Sequence, residues 1–172
     1  MGLSQTCTQI RSEFHAQCLS RVPVTICYLD HFLLTFFPKA PGLNTLRLLL
    51  VDCGHDSSSI YNLTRVIELK NRLPNTKFEV RAGYPRVLFD VLASSVQLFL
   101  NNRHPSWLEL LRSDAISSVR IHTYVRPEIK VMFKNNKAPL WIKSSPNSIP
   151  HAYFTSLGLN EIGAYIQFGV TP

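Results

Sequence analysis

Residues 125–168, VRPEIKVMFKNNKAPLWIKSSPNSIPHAYFTSLGLNEIGAYIQF, carry the side chains best suited to chemistry. Lys130 supplies a positive charge. Ser145 and Asn147, in the turn Ser144-Ser145-Pro146-Asn147, supply a hydroxyl and an amide. Such a set can hold the non-bridging oxygens of a phosphate, the lysine by charge and the others by directed hydrogen bonds. Glu161 lies downstream and could orient or neutralise a neighbouring base or cation. His122 upstream and His151 after the turn are the nearest imidazoles, while Arg120, Arg126 and Lys143 suit backbone phosphates. Each residue also has a plain reading: a lone strand lysine faces solvent, S-S-P-N is what any loop uses, and Glu161 is a charge at a strand start.

These residues need elements to position them. Residues 119–124, 129–133, 140–143 and 162–168 read as strands, and Asn135-Asn136 as the turn of a hairpin joining the second to the third. Upstream, the pattern is strand, helix, strand. A β-branched run over 22–29 and the buried-strand pattern LRLLLV over 46–51 precede a helix over 60–73. That helix can be capped by Ser59, presents Leu63, Val66, Ile67 and Lys70 on one face, and stops at Pro74 and Asn75. A strand over 77–81 and helices over 87–100 and 106–112 follow, and a first helix spans 4–19. The segment 32–37 is ambiguous and runs into a turn cluster at 38–42; 52–59 is a loop. The alternation predicts one α/β domain over 1–172, with a mixed, mostly parallel sheet flanked by helices.

The ordered set resembles the phospholipase D superfamily, whose motif is His-x-Lys, then Gly-Ser-x-Asn, then an acidic residue. The match looks closest to the restriction-endonuclease branch and to a single half of such an enzyme. Lys130 falls at the motif lysine, Ser145 and Asn147 at the second element, and Glu161 at the acid; LRLLLVDCGHDSS and KFEVRAG also resemble this branch. Two positions depart from the pattern. Ser144 replaces a glycine, and Glu128 stands where the family has its histidine nucleophile. A carboxylate there repels phosphate and removes covalent catalysis, leaving His122 as the nearest substitute nucleophile. The resemblance implies a metal-free, cofactor-free phosphodiesterase acting on DNA as a homodimer. The alternative it implies is a relative that kept the fold and lost the nucleophile, binding nucleic acid or protein.

The composition agrees with a folded domain. The chain has 172 residues, 45% of them hydrophobic, and a formal net charge of +7, which favours polyanionic partners, nucleic acid first. The longest apolar runs are too short to cross a bilayer and residues 1–19 lack a signal-peptide core, so the expected compartment is the cytosol, with no membrane partner. Cys7, Cys18, Cys27 and Cys53 lack paired zinc-ligand spacing and read as buried free thiols. His15, His31, His55 and His104 share no ligand spacing, and Trp107 and Trp141 read as core or interface anchors. Asp52, Gly54 and His55 follow a strand, where α/β folds often place functional loops.

Overall fold

The computed structural model describes residues 21–29, 31–32, 44–51, 60–72, 74–83, 87–123, 127–144 and 149–171. The expected helix over 4–19, the turn cluster at 38–42 and the loop at 52–59 lie outside them. The α/β class holds, with the described strands shared between two sheets, one of three strands and one of four.

The first sheet is parallel throughout and is built on β2 (Thr45–Leu50). Leu46, Leu48 and Leu50 of β2 are at most 1% exposed, and Thr45, Arg47 and Leu49 on its other face are half-buried. A strand covered on both faces reads as a continuous apolar run, which is why LRLLLV is legible. Beside it, β4 (Lys77–Ala82) sets Phe78 against Leu46 and Val80 against Leu48, and Arg47 bonds Glu79 across the pair at 2.9 Å. On the other side, β1 (Val24–Thr25) is much shorter than the expected 22–29, because the chain turns into a 3-10 helix at Ile26–Tyr28. The tighter turn carries both Ile26 and Leu29 into the core and leaves Tyr28 71% exposed, which a continuous strand would not do.

The free edge of β4 is closed by side chains. Helix α1 (Thr64–Arg72) precedes β4, and α2 (Val87–Asn101) follows it. From one face of α2, Gln97 Oε1 accepts the Val80 N–H at 2.9 Å. Asn101 accepts the Phe78 N–H at 2.9 Å and donates to the Phe78 carbonyl at 2.7 Å. Two amides four residues apart thus stand in for a neighbouring strand.

The second sheet is mixed. β3 (Ile60–Asn62), β5 (Ile116–His122) and β6 (Glu128–Phe133) run antiparallel, and β7 (Ile166–Val170) lies parallel to β6. Its inner face, with Tyr61, Val119, Ile121, Ile129, Val131 and Phe168, joins one apolar cluster with the first sheet's leucines. The sequence assigns 60–62 to a helix, but these residues pair with Arg120–His122 as β3. The helix therefore starts later and is capped by Asn62 rather than Ser59: Asn62 Oδ1 accepts from the Thr64 N–H at 2.9 Å and the Thr64 hydroxyl at 2.6 Å.

Because β6 and β7 are parallel, the chain between them must cross back over the sheet, and helices do this. The expected hairpin at Asn135-Asn136 is a 3-10 turn, Asn135–Lys137, and the expected strand 140–143 is helix α4 (Leu140–Ser144), numbered after α3 (Pro105–Arg112). Helix α5 (His151–Leu157) is unforeseen, and the expected strand 162–168 starts only at Ile166, after a 3-10 segment at Asn160–Tyr165. Trp141 and Tyr153 clamp this crossover onto Phe168, with Tyr153 lying 4.9 Å from Trp141 and 5.4 Å from Phe168 between ring centroids. Trp107 is a core residue, 1% exposed and 5.0 Å from the Phe99 ring.

Candidate functional site

Side chains alternate along a strand, so every residue opposite a core residue of the mixed sheet points outward. The register arranges these outward residues in rows. One row runs Asn62, Arg120, Lys130, Gln167 across all four strands. The next sets Ile60, His122 and Glu128 side by side, and Ser118 and Met132 pair on the other flank. Four of the residues singled out from sequence, Arg120, His122, Glu128 and Lys130, are thereby gathered on one face.

The electrostatics of this face are uneven. Arg120 and Lys130 are direct cross-strand partners, an arrangement that destabilises a sheet when both carry the same charge. Among the described residues no carboxylate lies within ion-pair distance of either; the ion pairs found are those of Glu79 and Asp114. Arg120, Asn62 and Gln167 are exposed, and Lys130, His122 and Glu128 are half-buried. Burial pushes the His122 imidazole below its ordinary value of 6.5; Glu128 opposes this, and Lys130 and Arg120 reinforce it. His122 is therefore neutral near pH 7. Its Nε2 is buried and has no hydrogen-bond partner among the described residues, as is true of the Ser118 hydroxyl. A neutral imidazole with a buried nitrogen is poorly placed to attack phosphorus. Two adjacent cations with no ion-pair partner among the described residues are well placed to hold an anion.

None of the other described candidates, Glu161, Lys143 and His151, lies on these rows. Ser145, Asn147 and Arg126 lie outside the described residues. Glu161 is on the 3-10 segment before β7 and lines a cleft of about 300 Å³ at the end of α2, with Leu98, Asn101, Asn102 and Ile162. No hydrogen bond or ion pair among the described residues joins it to Lys130. The amides of that cleft are engaged in the fold: Asn101 on β4, and Asn102 on the Leu157 carbonyl and the His104 N–H. Lys143 is exposed in the last turn of α4, and His151 opens α5. A second cleft, of about 390 Å³, lies between α1 and β5, where Lys134 and Lys137 hold the Asp114 carboxyl below its usual range.

Sequence reasoning did not single out Asn62 or Gln167, which fall inside the expected helix over 60–73 and the expected strand over 162–168. It also took Cys27 for a buried free thiol, whereas Cys27 is exposed and disulfide-bonded; the other cysteines lie outside the described residues. Among the described residues no cluster of His, Cys, Asp and Glu could hold a metal ion, and no helix is long and apolar enough to cross a membrane. No protein-family model, curated protein or solved structure matches this chain.

Proposed function

We propose that the outward face of the mixed sheet binds the phosphodiester backbone of nucleic acid, DNA foremost, and that the domain acts by binding rather than by hydrolysis. The observation that carries this reading is the direct opposition of Arg120 and Lys130, with no carboxylate of the described residues within ion-pair distance of either. Two like charges held face to face are relieved by an anion between them, and a chain of net charge +7 attracts polyanions over a longer range. The resemblance to phospholipase D-type nucleases points to the same ligand, with Lys130 at the phosphate. The cytosolic setting expected from the sequence stands against the Cys27 disulfide, a bond that an oxidising compartment favours.

A second reading, metal-free hydrolysis by a homodimer, draws support from His122 lying opposite Glu128 beside Lys130. It needs His122 to expose its buried nitrogen, and Ser145 and Asn147 to come to the same phosphate. Incubation of plasmid DNA in EDTA separates the two readings. Binding without nicking is expected; nicking that disappears in Lys130→Ala would establish the second.

A further inference from the structure

Resting on the reading above, we propose that the contact surface is the whole transverse row Asn62–Arg120–Lys130–Gln167, and that it grips the backbone without reading bases. With strands about 4.8 Å apart, four neighbours in register form a line about 14 Å long, the axial rise of about four phosphates on one DNA strand. Every member can donate: amide, guanidinium, ammonium, amide.

The two ends distinguish a built row from a pair of stray cations. Asn62 Oδ1 is fully used in capping α1, accepting both from the Thr64 N–H and from its hydroxyl. Those bonds fix which way the amide faces and leave its Nδ2 without an acceptor among the described residues. Aspartate would cap the helix as well, so the cap does not explain the amide. At the other end Gln167 is exposed, directly beside Lys130, and its side chain makes no hydrogen bond to a described residue. The flanking positions, Ile60, His122 and Glu128 on one side and Ser118, Met132 and Gly169 on the other, include no Phe, Tyr or Trp on which a base could stack. With no such ring among the described residues of these rows, contact is expected to fall on phosphates, and sequence to have little influence.

The test is fluorescence anisotropy of the full chain with labelled DNA duplexes of unrelated sequence, comparing Lys130→Ala, Asn62→Asp and Gln167→Glu. Asn62→Asp keeps the cap and replaces a donor with a carboxylate, and Gln167→Glu repeats the change at a position with no structural bond. Each of these two variants is expected to weaken binding by about fivefold or more, equally on every sequence, with a melting temperature unchanged or raised by the new pairing with the neighbouring cation. If Lys130→Ala weakens binding while Gln167→Glu and a folded Asn62→Asp do not, the row is overturned and the parent reading stands. If Lys130→Ala has no effect either, both fall. A preference of more than about tenfold among duplexes would overturn the claim that bases go unread.

Discussion

His122 and Glu128 face each other as direct partners across β5 and β6, yet no hydrogen bond joins them, and the His122 Nε2 is buried without a partner among the described residues. Burial dominates the imidazole, so its folded pKa lies below the ordinary 6.5. The unfolded chain therefore takes up the proton first. The stability this site contributes is complete above about pH 6.5 and is lost as pH falls from there towards the folded value. Urea midpoints measured near pH 8 and about pH 5 should show His122→Asn losing less stability on acidification than the unmodified protein. Equal losses would mean that the imidazole is solvated when folded.

Asn101 performs three tasks on the β4 edge: it accepts from the Phe78 N–H, donates to the Phe78 carbonyl, and bonds the Gln97 carbonyl. Asn101→Ala strips the strand's partner and is expected to cost about 2 kcal/mol by denaturant titration. It also uncovers a strand edge, so light scattering should report self-association on warming. A stable, monomeric variant would show that water replaces the amide at no cost.

Lys70 is only 2% exposed on the apolar face of α1, with its Nζ donating to the Thr76 carbonyl at 3.0 Å and lying 5.5 Å from the Phe78 ring centroid. Desolvation lowers its pKa, and the nearby Arg103 charge adds to this. A buried ammonium held by one carbonyl gains little over an apolar chain of equal length. Lys70→Met should thus fall within about 1 kcal/mol of the unmodified protein or above it, whereas Lys70→Ala should lose about 2–3 kcal/mol to the cavity. A Met variant as unstable as the Ala variant would make the charge itself essential.

The chain holds four cysteines, and Cys27 is disulfide-bonded. Alkylation of unreduced, denatured protein should leave Cys27 unlabelled. Reduction should expose it and move the melting temperature down, because the crosslink restricts the unfolded chain. Full labelling before reduction would contradict the bond.

The scaffold was more legible than the site. The leucines at 46, 48 and 50 and the alternation at 77–81 announce their strands because burial is written directly into residue type. Leu140 to Lys143 misleads because four residues are too few to tell one period from the other, and only the parallel placement of β7 demands a crossover there. Asn62 looks like helix interior until Ile60 and Tyr61 are seen to pair with His122 and Ile121, a contact set by the tertiary fold. The alignment of Arg120 with Lys130 was hidden for another reason. It depends on the register across the 123–127 connection, and a slip of one residue would send them to opposite faces.

The most direct test of the central claim is the salt dependence of DNA binding for the unmodified chain, Arg120→Ala and Lys130→Ala. If both cations meet phosphate, the plot of log affinity against log salt should flatten by about 0.9 for each variant on duplex DNA, with affinity falling in parallel. Slopes and affinities that match the unmodified protein in both variants would contradict the account and remove this face from nucleic-acid binding.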